Sequence, residues 1–282
     1  MNPNFAKYLL AYLLSFALLQ AYSQSYTPIS GTINDYTSIT HIRSAQDFNP
    51  DSVVVTSTTN FNVLDTVMVY CVKGAIIGTG SGFGPYPPGN GSYEAGEDAQ
   101  NPRNAGKYAF FLIGEIIGDT VVLNALLDPP GSPLERGIEP LVPGEVAQLI
   151  RVRSYRYANV TGSGLSAPDW DPLTGTGGVV TLFVHGILRL DGNIDVSGAG
   201  FKGALGNSDN LYSGLCADPD TMQHFYLPGQ VVAGLKGEGI TDTSFPYNRG
   251  KASSINGGGG GNGLLAGGGG GGNYTAGVRG WE

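Results

Sequence analysis

Charge is what this sequence lacks most. Asp, Glu, Lys and Arg make up 13% of its 282 residues, about half the usual share of a soluble domain. The formal charge is −8, from 15 basic and 23 acidic residues, and the basic residues form no cluster. Such a chain should be repelled by nucleic acid and by anionic lipid, which argues against both as partners. Catalytic signatures are missing too. There is no G-x-S-x-G elbow, no H-E-x-x-H, no Walker A and no paired C-x-x-C. The three histidines, His41, His185 and His224, are scattered along the chain. A Ser-His-Asp triad is a spatial arrangement that spacing does not define. The mature chain also shows no strong amphipathic helix. The reading is therefore of a protein that is not an enzyme.

One long apolar run exists, at the N-terminus. Lys7 precedes Tyr8 to Leu19 (YLLAYLLSFALL), and Ala21-Tyr22-Ser23 supplies the small residues of a cleavage site. The run falls short of the roughly 20 apolar residues that span a bilayer, which disfavours an uncleaved anchor. Residues 1–23 are thus expected to be a secretory signal peptide, with a secreted, extracellular or cell-surface chain beginning at Gln24. No membrane span is expected after its removal.

Glycine is what the sequence has in excess, 46 residues of 282, more than twice the average share of about 7%. With 41% hydrophobic residues the chain can still bury a core. It has no G-X-Y period, so it is neither collagen nor a disordered tail. From about 50 to 153 the pattern is strand after strand. The runs at 52–58, 66–77, 108–117, 120–127 and 145–153 are rich in β-branched and aromatic residues and bounded by Gly, Pro and Asp. Gly118-Asp119 reads as a tight hairpin turn. Turn-rich interruptions at 78–103 and 128–144 read as loops, and Tyr86 and Tyr93 in the first suit ligand contact or are ordinary loop aromatics.

The character changes near 157. In GGVVTLFVHGILRLDGNIDVSGAGFKG (177–203), Leu182, Val184, Leu188, Leu190, Ile194 and Val196 fall at even positions, one face of extended chain. Gly186 and Gly192 punctuate it, and His185 sits on the opposite face. Rungs of a β-solenoid and antiparallel strands both fit. The runs 257–261 and 267–272 read either as flexible linker or as packed polyglycine. The fold expectation is all-β: a β-sandwich or barrel-like domain over 24–157, then a glycine-rich solenoid-like or extended β region over 158–282. The glycine run simply stops, so a fragment truncated at its C-terminal end is expected.

Three sets of residues stand as candidate sites. Asp169 and Asp171 flank Trp170, and Asp191 and Asp195 flank Gly192-Asn193. Oxygen ligands in irregular loops suit calcium, although the spacing matches no known calcium loop and Asp is also common at turns. The same carboxylates, with Trp170 as a stacking platform, would suit a sugar substrate. No other cofactor is implied. Gly198–Gly203 matches G-x-G-x-x-G, but turn sequence follows where a dinucleotide site needs a helix. Cys71 and Cys216 either pair in an exported chain, stapling the two regions, or lie apart as small buried hydrophobes.

The segments TVMVYCVKGA (66–75), QLIRVR (148–153), NVTGSGL (159–165), GGVVTLFVHGILRLDGNIDVSGAGFKG, KGEGI (236–240) and GKASSINGGGGGNGLLAGGGGGGNY resemble, in that order, the N-terminal region of large secreted surface proteins of the Bacteroidetes. Many proteins of that kind leave by type IX secretion, and several are adhesin-like. The resemblance implies an extracellular location, a long parent chain and β architecture, and assigns no active residues. Such cargo ends in a sorting domain, which these 282 residues do not contain. The expected function is a cell-surface structural or adhesive module contacting an extracellular surface or glycan. The alternative is a secreted polysaccharide-binding or polysaccharide-degrading protein.

A Cys71–Cys216 bond makes a sharp expectation: the intact mass of the non-reduced chain rises by two hydrogens on reduction, and an unchanged mass excludes the bond.

Overall fold

The computed structural model describes residues 25–44, 50–75, 103–126, 138–204, 234–241 and 257–260. The proposed signal peptide, Cys216, Tyr86 and Tyr93 lie outside them. Ten strands form among the described residues, with no helix, so none is long and apolar enough to cross a membrane. The fold is all-β.

Six strands close into an antiparallel barrel. They are β2 (Tyr36–Ser44), β3 (Pro50–Val55), β4 (Thr66–Lys73), β5 (Tyr108–Ile117), β6 (Thr120–Leu126) and β7 (Val146–Tyr155). The pairings run β2–β3–β6–β5–β4–β7 and return from β7 to β2. Closure leaves no sheet edge in this ring. Irregularities of register in the β2–β3, β5–β6 and β4–β7 ladders supply the local bends that closure needs. Gly118-Asp119 is the two-residue turn of the β5–β6 hairpin, between the paired Ile117 and Thr120. The barrel interior holds Val53 and Val55, Val67, Val69 and Cys71, Ala109, Phe111 and Ile113, Val121 and Leu123, Ala147 and Leu149. These are alternate residues of their strands, as the period of two requires, and half of them are β-branched.

The remaining strands are parallel. β8 (Ala158–Leu165) lies between β1 (Thr27–Gly31) and β10 (Leu188–Leu190), and β9 (Leu182–Val184) runs beside the end of β7. The step between layers is nearly constant. Arg153 pairs with Leu182 (29 residues on), Ala158 with Leu188 (30), Leu165 with Ile194 (29), and the Trp170 amide bonds to the Ala199 carbonyl (29). A constant step in parallel register makes these two successive rungs of a β-solenoid, so the parallel arrangement is the one adopted over the antiparallel one. β1 belongs to this stack rather than to the barrel, although the sequence pattern groups it with the N-terminal region.

The period of two holds where a neighbour exists. Val180, Leu182, Val184 and Leu188 pack on Ile29, Ala158, Val160 and Leu165 inside the stack. Leu190, Ile194 and Val196 share their parity but are 60%, 44% and 42% exposed. The odd residues Val179 and Phe183 turn the other way and cover Met68, Ile150 and Val152 on the outer face of the barrel. Gly164, near the end of β8, allows one close approach between the rungs. It has φ of +81°, and a Cβ there would stand 2.1 Å from the Asn193 carbonyl oxygen of the next rung.

The glycine run is packed where it is described. A Cβ on Gly257 would lie 2.5 Å from the Gly237 carbonyl oxygen, and the Gly237 amide donates to the Gly258 carbonyl at 2.7 Å. Backbones approach this closely only where no side chain intervenes.

Replacing Gly164 by Ala is expected to destabilise the fold by about 1–3 kcal/mol from backbone strain alone, with the overlap adding to it. Gly200 lies in open space with an ordinary φ, and Gly200→Ala should stay within about 0.5 kcal/mol. Urea denaturation of both variants measures the contrast.

Candidate functional site

One of the sequence-predicted residues, Trp170, meets the barrel at a junction with Lys73 and Glu238. Trp170 lies in the connector between the first two rungs and is only 3% exposed. Its Nε1 donates to Glu238 Oε1 at 2.9 Å, and Phe201 meets it edge-on with ring centroids 5.4 Å apart. A stacking platform needs an open ring face, and the Trp170 ring presents almost none to solvent in this arrangement. Its indole is instead a wall of an interior contact.

That contact is built around Lys73, at the end of β4. Lys73 is 7% exposed and forms an ion pair with Glu238. Its Nζ also stands 5.9 Å from the Trp170 ring centroid and 5.1 Å from that of Phe201, within cation–π range. Glu238 accepts a further hydrogen bond from the Lys202 amide at 2.9 Å. Burial pushes the Glu238 carboxyl up, but hydrogen bonds from Lys73, the Lys202 amide and Trp170 outweigh it and hold the group below its ordinary value. Three segments of the second region are thereby fixed to one barrel strand. Backbone bonds from Gly74 and Ala75 to the Ile240 carbonyl, at 2.9 and 3.1 Å, complete the attachment.

Lys73 and Glu238 escape a reading by motif, since neither belongs to a charge cluster or a known spacing. The signal for both is their setting. Lys73 closes an apolar strand, and Glu238 stands between glycines that allow close backbone approach.

Asp171 and Asp195 cap their own turns, while Asp191 and Asp169 reach partners about thirty residues away. Asp171 accepts the Leu173 amide at 2.9 Å and the Thr174 hydroxyl at 2.9 Å. Asp191 accepts the Asn159 side-chain amide at 2.8 Å and Arg189 Nε at 3.1 Å, and Asp195 accepts the Ser197 amide at 2.8 Å. Those hydrogen bonds hold all three carboxyls below their ordinary value: the Leu173 amide first for Asp171, Asn159 for Asp191 and Ser197 for Asp195. Asp169 faces Lys202 Nζ at 3.3 Å. Among the described residues no three His, Cys, Asp or Glu side chains gather in a group able to hold a metal ion. Asp191 and Asp195 do share an open depression of about 440 Å³ with Leu190, Gly192, Asn193 and Ile194.

Cys71 points into the barrel. Burial pushes its thiol up to about 12, with the Glu145 charge adding to the rise and Lys107 opposing it. Such a thiol is a packing group and a poor nucleophile. His185 is exposed, and its Nε2 lies 2.8 Å from Ser154 Oγ.

Removing one partner of the buried ion pair should cost more than removing both. Lys73→Met leaves Glu238 uncompensated, with an expected loss of about 3–5 kcal/mol, while Lys73→Met with Glu238→Leu should recover most of it. Because the folded Glu238 value is depressed, its contribution is complete above the ordinary value of 4.5 and fades as the pH falls through the folded one. The stability gap between the native chain and Glu238→Gln should therefore narrow in acid, as read by urea melts across pH.

No protein-family model matches this chain, and no curated protein does. Among solved structures it is similar to the Gp54 tailspike of Acinetobacter baumannii bacteriophage AP22, in complex with A. baumannii capsular saccharide. The identity is 11% and the TM-score 0.25, over 60% of this chain and 26% of that one. It is also similar to the tailspike protein gp49 from Pseudomonas phage LKA1, at 13% identity and a TM-score of 0.22, over 51% of this chain and 20% of that one. The chain thus spans about a quarter or less of the structures it matches, and a likeness at this level carries no argument about function.

Proposed function

We propose that this chain is a structural and adhesive module of a larger extracellular protein, with the barrel as the base on which a β-solenoid starts. One observation carries the reading: the parallel rungs begin on a barrel strand and keep a step of 29 or 30 residues. A stack of this kind extends one rung at a time, each rung touching only its neighbours, and so gains length and surface without a new fold. Backbone hydrogen bonds from Glu238 to the Lys202 carbonyl and from Gly237 to the Gly258 carbonyl tie later segments to the stack. The N-terminal signal sequence supports export, and the constant rung step supports a long parent chain. Contact with a surface or glycan would then come from repeated weak sites acting together.

An antibody raised against the barrel should label intact, unpermeabilised cells. Labelling only after permeabilisation would overturn the extracellular reading. Incubation of the purified chain with a panel of insoluble polysaccharides tests the adhesive part. Retention without released sugar is the expected result, whereas released sugar would replace this reading with an enzyme.

A further inference from the structure

We draw no further inference here: the strongest candidate, the exposed apolar edge of the parallel stack at Ile187, Leu190, Ile194 and Val196, carries nothing because nothing in the structure shows what covers it.

Discussion

The arrangement depends on the outer face of β4 and β7. A barrel strand ordinarily alternates between a packed interior and a solvated exterior, but these two are apolar on both sides. Val67, Val69, Ala147 and Leu149 fill the barrel, and Met68, Ile150 and Val152 point away from it. Leaving that outer patch in water would forfeit the gain of burying three large side chains, about 1.5–3 kcal/mol each. Val179 and Phe183 cover it, and Phe183 meets Phe110 with ring centroids 4.9 Å apart. Covering the patch lays the second region along β7, and β9 takes its parallel register from that strand. The barrel and the stack therefore share a wall rather than a linker.

Irregular chain buried against a sheet must satisfy its peptide groups by other means. Side-chain amides do this here. Gln148, fully buried on β7, donates to the Gly177 carbonyl at 3.1 Å and accepts the Gly177 amide at 3.0 Å. Asn34 donates to the carbonyls of Arg151 and Thr181 at 2.8 and 2.6 Å and accepts the Thr181 amide at 3.0 Å. The Tyr36 hydroxyl donates to the Val179 carbonyl at 2.5 Å. Each amide imitates one rung of a β-ladder where no strand runs. At the barrel mouth Arg151 binds Asp65 at 2.8 Å and the Asn60 carbonyl at 2.9 Å, and Arg153 binds Asp35 at 3.2 Å. The Arg151 contacts brace the barrel itself, while the Gln148, Asn34 and Tyr36 hydrogen bonds and the Lys73–Glu238 pair fix the stack against it by direction as well as by apolar area.

Such a design suits an extending module. The barrel has no free edge in its ring, while the stack presents two parallel layers among the described residues. Glycine lets neighbouring segments approach to backbone contact, as at Gly164 beside Asn193 and at Gly257 beside Gly237. Of the carboxylates on the rungs, Asp171 and Asp195 are held by amides and hydroxyls of their own turns, and Asp191 joins two layers through Asn159.

What the sequence by itself determined was local. Runs of β-branched residues place β3 to β7 within a few residues of their observed bounds, because a half-buried pleated strand demands such side chains. Strands β1 and β2 are shorter of apolar residues (TPISG and YTSITHIRS), and their burial comes from partners distant in sequence. The alternation from Leu182 to Leu188 gave the packed face of the rungs, but not that Phe183 would cover the barrel. Only the tertiary structure decided that β1 joins the stack, that six strands close into a ring and that Trp170 turns inward. Those outcomes depend on pairings from about thirty to more than a hundred residues apart, such as Trp170 with Phe201, Thr27 with Ala158 and Lys73 with Glu238. A residue's type and its near neighbours carry no trace of a partner that far away.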